Sequence, residues 1–152
     1  MASCSYDDTI KLWTEGDDDW YCRQTLTGHD STVWDISFDR SGSKLASASD
    51  DQSVRVWERS ASDGEWRSET VLANAHSRVV YSVDFARVGQ ELIASAGGDN
   101  HVRVWRGAAP FEMLADSGSL GGDVNCVRWN PKEAGLIASC GDDKTIRIWK
   151  FI

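Results

Sequence analysis

Serine, histidine and aspartate recur in this chain at set distances from a tryptophan. Trp13, Trp57, Trp105 and Trp149 are spaced by 44, 48 and 44 residues. Ten residues before each stands a serine (Ser3, Ser47, Ser95, Ser139), and six before each an aspartate (Asp7, Asp51, Asp99, Asp143). His29 and His76 lie further upstream of Trp57 and Trp105. Ser, His and Asp could supply a nucleophilic hydroxyl, a general base and a carboxylate that orients the base. With Trp they could instead form a relay, in which the indole N–H donates to Ser, Ser donates to His, and His donates to Asp. Burial makes every unmet polar group costly, so such a set is best kept whole. A constellation that returns with each repeat reads as scaffolding, since a catalytic site is built once. The relay is therefore the reading adopted, and no enzyme activity is expected.

Other candidate chemistry is sparse. Asp50-Asp51 and Asp142-Asp143 look like carboxylate pairs, but the second member of each falls in the aspartate register and the first in a turn. His101 takes a turn position that holds Thr9, Ser53 and Thr145 in the other repeats, and reads as a surface variant. Cys4, Cys22, Cys126 and Cys140 form no Cys-x-x-Cys pair. They read as buried, reduced thiols acting as small apolar side chains, the usage of a cytosolic or nuclear protein. The chain has no Gly-rich phosphate loop, nucleophile elbow or metal-spaced His cluster. No cofactor or metal is expected.

The segments that position these residues are strands. MASCSYDDTIKLW, LASASDDQSVRVW, IASAGGDNHVRVW and IASCGDDKTIRIW align, and VWDISFD, VYSVDFA and VNCVRWN precede the last three. Each is short, rich in β-branched and aromatic residues, and bounded by Gly, Asp, Asn or Ser. No stretch of helical period is long enough for several turns. The expected inner strands are 33–38, 79–85 and 124–129. Middle strands are expected at 44–49, 92–96 and 136–140, and Trp-ending strands at 53–57, 101–105 and 145–149. A weaker fourth segment follows at 20–26, 66–72 and 112–114. Four antiparallel strands every 40–45 residues or so make the blade of a β-propeller.

Gly28-His29, Ser47, Asp51 and Trp57 resemble the pattern of a WD repeat, although the residue after each Trp is Thr14, Glu58, Arg106 or Lys150 and never Asp. The fold expected is all-β, a partial WD-repeat propeller of about three and a half blades. The assigned units are an incomplete leading blade at 1–26, blades at 27–72 and 73–115, and a blade at 116–152 without its outer strand. Leu120 and the Gly121-Gly122 pair stand where the last blade would carry its His, so that blade is expected to be less rigid. Met1 falls in the register of Leu45, so the chain begins inside a repeat. It is expected to be the C-terminal half of a longer propeller. Its partner would then be the missing N-terminal half of the ring. The alternative is closure with another chain, or self-association through open blade edges.

A narrower resemblance rests on ASCSYDDTIKLW, Asp18-Asp19-Trp20-Tyr21-Cys22, TLTGHDSTVWDISFD, HSRVVYSVDF and, above all, DVNCVRWNPKEAGLIASCGDDKTIRIWK. These are similar to the WD-repeat proteins of cytosolic iron–sulfur protein assembly. That family implies a seven-bladed, non-catalytic adaptor in the complex that passes iron–sulfur clusters to cytosolic and nuclear apoproteins. The partners it implies are a HEAT-repeat scaffold subunit, a small assembly factor, a hydrogenase-like cluster carrier and client apoproteins. Two segments depart from the family: the short connection Ser60–Trp66, and GAAPFEMLADSGSLGGD, which lacks the usual His. The alternative function is a general WD-repeat scaffold, such as a ubiquitin-ligase substrate receptor or a chromatin-associated adaptor.

Net charge is −8, with Asp17-Asp18-Asp19 in a connection. This balance argues against a nucleic-acid or anionic-membrane surface. No stretch approaches membrane-spanning length, and no secretory signal is visible at the start. The expected location is cytoplasmic, with the nucleus as a second compartment. Propellers bind partners where inner strands begin, which singles out Trp34, Arg78, Tyr81, Asp123 and Asn125. Trp, Tyr and Arg are common carriers of interface energy. Packing of Trp34 and Tyr81 between neighbouring blades is the competing reading, and Arg78 is the residue expected to be most exposed.

Overall fold

The computed structural model describes residues 1–151, and its regular structure is entirely β-strand. Ile152, the last residue of the final assigned unit, lies outside the described residues. The leading sheet contains β1 (Ala2–Cys4), β2 (Ile10–Glu15) and β3 (Trp20–Leu26). The second contains β4 (Val33–Phe38), β5 (Lys44–Ser49), β6 (Val54–Arg59) and β7 (Trp66–Leu72). The third contains β8 (Val80–Phe85), β9 (Leu92–Gly97), β10 (Val102–Arg106) and β11 (Met113–Asp116). The fourth contains β12 (Val124–Trp129), β13 (Leu136–Gly141) and β14 (Ile146–Lys150). Neighbouring strands in each sheet are consecutive in the chain and antiparallel, so every sheet is a meander. Each sheet has the antiparallel meander of a propeller blade, as the sequence leads one to expect.

Strand ends differ from the sequence expectation for a local reason. The Trp-ending strands begin at Val54, Val102 and Ile146, one residue later than expected. The N–H groups of Ser53, His101 and Thr145 are taken by the carboxylates of Asp51 (2.9 Å), Asp99 (3.3 Å) and Asp143 (3.0 Å). The turn closes on its aspartate before the ladder starts. In the same turns Asp8, Gln52, Asn100 and Lys144 have φ of 66–72°, the left-handed region.

Each sheet packs its forward face on the next. Ile10 and Leu12 meet Leu45 and Trp57, whereas Val54 and Val56 pack with Phe85, Ile93 and Trp105. Val102 and Val104 pack with Val127, Trp129 and Ile137. Alternation along the strand makes this possible, since Val54 and Val56 are buried while Arg55 between them is partly exposed. Complete burial of one such aliphatic side chain contributes about 1.5–3 kcal/mol. On the fourth sheet the matching side chains, Ile146 and Ile148, are 77% and 65% exposed.

The inner strands are also tied by polar bonds. Ser82 Oγ (3.0 Å), Val83 N–H (3.0 Å) and Arg128 Nη1 (2.9 Å) all donate to Asp35 Oδ2. Arg128 therefore reaches across the third sheet from the fourth to the second. Ser37 Oγ (2.9 Å) and Trp129 N–H (2.8 Å) donate to the two oxygens of Asp84. Burial raises the Asp84 carboxyl pKa, and the Trp129 and Ser37 donors offset part of that rise.

Candidate functional site

Two blades carry a complete relay. Trp57 Nε1 donates to Ser47 Oγ (2.9 Å), Ser47 lies 2.7 Å from His29 Nε2, and His29 Nδ1 lies 2.7 Å from Asp51 Oδ2. In the next blade Trp105 Nε1 meets Ser95 Oγ at 2.8 Å, Ser95 meets His76 Nε2 at 2.8 Å, and His76 Nδ1 meets Asp99 Oδ1 at 2.7 Å. One tautomer satisfies each chain, with the proton on Nδ1 donated to Asp and Nε2 accepting from Ser. Burial pushes the Asp51 and Asp99 carboxyls up, but His29 and Ser53 at Asp51, and His76 and Arg103 at Asp99, outweigh it. Both carboxyls end well below the usual range. Burial lowers the His76 pKa, and Asp99 opposes it.

The Ser-His-Asp geometry has the connectivity of a nucleophilic triad, yet its hydroxyls cannot reach a substrate. Ser47 and Ser95 are 0% exposed, and each accepts an indole N–H at the oxygen that would attack. A buried serine whose lone pair is occupied holds its sheet together.

The other two blades carry only halves of the relay. Trp13 Nε1 donates to Ser3 Oγ and Trp149 Nε1 to Ser139 Oγ, both at 2.9 Å. Asp7 instead accepts from Thr9 (2.7 Å), and Asp143 from Thr145 (2.8 Å) and Arg147. Without an imidazole between them, Ser and Asp stay apart.

The residues singled out for partner binding share one rim of the array. At the start of each inner strand the ladder skips a residue: Val33 pairs Ser49 and Asp35 pairs Ala48. Val80 pairs Gly97 and Ser82 pairs Ala96, and the same shift falls between Val124 and Cys126. Trp34, Tyr81 and Asn125 are the extra residues of these three bulges. A bulge frees its side chain from the sheet's alternation and aims it elsewhere. Here the side chains run along the rim. Tyr6 and Trp34 meet edge to face with centroids 5.3 Å apart, and Trp34 and Tyr81 do so at 5.9 Å. Tyr81 Oη donates to Asp123 Oδ2 at 3.3 Å, and Asn125 Nδ2 to Asp142 Oδ1 at 2.7 Å. Burial and the Asp123 charge raise the Tyr81 pKa.

Packing and exposure coexist here: Trp34 touches two neighbours yet remains 40% exposed. Arg78 is 62% exposed and also engaged, since its Nη1 donates to Gly98 O (2.6 Å) and lies 3.4 Å from Asp123 Oδ1. Sequence reasoning missed Tyr6 and Gly98. Both lie in the register of Asp50 and Asp142, which was a signal available from the repeat. A side chain at Gly98 would place Cβ 3.0 Å from Val79 Cγ1, 3.3 Å from Asp123 Oδ2 and 3.5 Å from Tyr81 Cε2. Glycine there lets Tyr81 lean onto Asp123.

One expectation is corrected. The cysteines are free, but Cys22 and Cys140 are exposed, and Cys4 and Cys126 only partly buried. Cys22 sits on the outer strand β3, and Cys140 on β13 of the fourth sheet, the sheet whose Ile146 and Ile148 are also uncovered. His101, at the turn before β10, is a quarter exposed, and its Nδ1 lies 2.6 Å from Asp116 Oδ1. Among the described residues no group of His, Cys, Asp and Glu is arranged to hold a metal ion. The described residues contain no helix long and apolar enough to cross a membrane.

The family model for the WD domain, G-beta repeat, matches residues 20–58, 66–106 and 115–150. A probable cytosolic iron-sulfur protein assembly protein Ciao1 from Culex quinquefasciatus is 42% identical, over 93% of this chain and 48% of its own length. Its namesake from Aedes aegypti is 40% identical over 94% of this chain and 48% of its own length. A probable CIAO1 homolog of the same description from Chlamydomonas reinhardtii is 40% identical over 87% of this chain and 47% of its own length. The chain thus spans about half the length of these curated relatives.

Proposed function

Because the chain belongs to the WD-repeat family, we propose that it acts as part of a non-catalytic adaptor in cytosolic iron–sulfur protein assembly. The adaptor holds partner proteins and client apoproteins, and the cluster is cargo passed between them. The observation that carries this reading is identity of about two residues in five along nearly the whole chain to relatives named for that process, in insects and an alga. The rim of Tyr6, Trp34, Tyr81, Arg78, Asp123 and Asn125 supports it. That rim offers aromatic and polar contact area along successive sheets. The partners proposed are a HEAT-repeat scaffold subunit, a small assembly factor, a hydrogenase-like cluster carrier and the clients. The location proposed for the protein is the cytoplasm, with the nucleus as a second compartment. The proposed units are those of the sequence reading, 1–26, 27–72, 73–115 and 116–152.

The test is affinity capture of the tagged chain from cytosol, with the recovered proteins identified by mass spectrometry. Iron–sulfur apoproteins or their assembly factors are expected. Recovery of ubiquitin-ligase or chromatin components in their place would replace this reading with a general WD-repeat scaffold.

A further inference from the structure

The chemistry of the rim selects a kind of partner. Three aromatic rings, Tyr6, Trp34 and Tyr81, cross three successive sheets in edge-to-face contact. Two of them are bulge residues, held by backbone geometry rather than by a flexible loop. Carboxylates stand beside the middle ring, Trp34, and at the Tyr81 end of the row. Asp50 is exposed, and its N–H bonds Thr32 O (3.0 Å), two residues before Trp34. Asp142 is exposed, and its N–H bonds Asp123 O (2.9 Å) beside Tyr81. The guanidinium at this edge, Arg78, already donates to Gly98 O and leans on Asp123. The rim therefore carries surplus negative charge on a chain that is itself at −8.

An exposed indole face attracts a cation, Arg more often than Lys, and the attraction grows where a carboxylate stands nearby. Charge complementarity sets which partners approach and in what register. We propose that this rim receives an extended, basic segment of a partner protein. An arginine of that segment lies over Trp34 or Tyr81, with its neighbours paired to Asp50 and Asp142. The proposal rests on the adaptor reading above and gives its contact surface a chemistry.

The experiment is calorimetric titration of the whole chain with three synthetic peptides: alternating Arg and Gly, the Lys counterpart and the Glu counterpart. The Arg peptide is expected to bind most tightly, the Lys peptide more weakly, and the Glu peptide not at all. Trp34→Ala should weaken the Arg peptide roughly tenfold. The pair Asp50→Asn with Asp142→Asn should weaken it similarly and flatten its salt dependence. Trp20→Ala, an equally exposed indole on β3, should change nothing, and unaltered circular dichroism would show that the variants fold. Absence of Arg-peptide binding, equal binding of the Glu peptide, or indifference to both rim variants would overturn the proposal. If affinity capture recovers assembly factors while these titrations fail, the rim chemistry alone is wrong. If the titrations succeed and capture recovers none, the assembly role alone is wrong.

Discussion

Leu120 occupies in the last blade the place that His76 holds in the blade before it. The N–H of His76 donates to Gln52 O (3.3 Å), and the N–H of Leu120 donates to Asn100 O (2.9 Å), one repeat further on. The backbone is thus in register, and only the side chain is missing from the relay. Gly121 and Gly122, the other candidates for that place, fall outside it.

Leu120→His should therefore close the relay between Ser139 and Asp143. A hydrogen bond gained on each side is worth about 1 kcal/mol net, set against the loss of a partly buried leucine. Urea unfolding should show a net gain of about 1 kcal/mol, and amide exchange across 136–149 should slow. A lower midpoint would show that Asp143 cannot leave Thr145 and Arg147.

Trp57 is 3% exposed and bonded through its indole N–H. Trp57→Ala should cost about 3–5 kcal/mol, the loss typical of large-to-small truncation in a core. Ser47→Ala should cost about 1–3 kcal/mol, because it leaves the indole N–H and His29 without a shared partner. Denaturant midpoints would report both, and a small effect of Trp57→Ala would show that the two sheets repack.

Acid should destabilise the fold in two stages. The His76 pKa is lowered in the fold, chiefly by burial, among Asp99, Arg103 and His101. Its contribution is complete above the unfolded value, about pH 6.5, and is lost as pH falls through the folded value. The Asp51 and Asp99 carboxyls are also depressed. Their contribution is complete above the unfolded value, about pH 4, and is lost as pH falls through theirs. Asp84, raised by burial, acts in the opposite sense and favours the fold at low pH. Thermal melts across this range should decline in those two windows, and His76→Asn should remove the first decline.

Gln52 is an exposed, non-glycine residue at φ 70°. A left-handed conformation costs an L side chain roughly 1–2 kcal/mol, of which glycine is relieved at some entropic cost. Gln52→Gly should thus stabilise the chain by about 0.5–1 kcal/mol, read from the melting midpoint. A lower midpoint would mean that the Gln52 side chain makes contacts worth more than its strain.

The repeat register made strand order and the Trp–Ser bond of every blade legible without coordinates, because Ser and Trp ten residues apart fall on paired strands; whether the aspartate joins them depends on the His, which only two blades carry. The rim was legible only in outline. Trp34 and Tyr81 could be placed near the start of their strands, but a bulge is a choice of backbone pairing that no residue type announces. That choice turned them from sheet positions into a row with Tyr6. The exposure of Cys140 and Ile148 was likewise hidden, since alternation along a strand says which residues share a face and not whether another sheet covers it. Side-chain order along the chain decided which elements form; the packing of one sheet on the next decided which of their faces meet solvent.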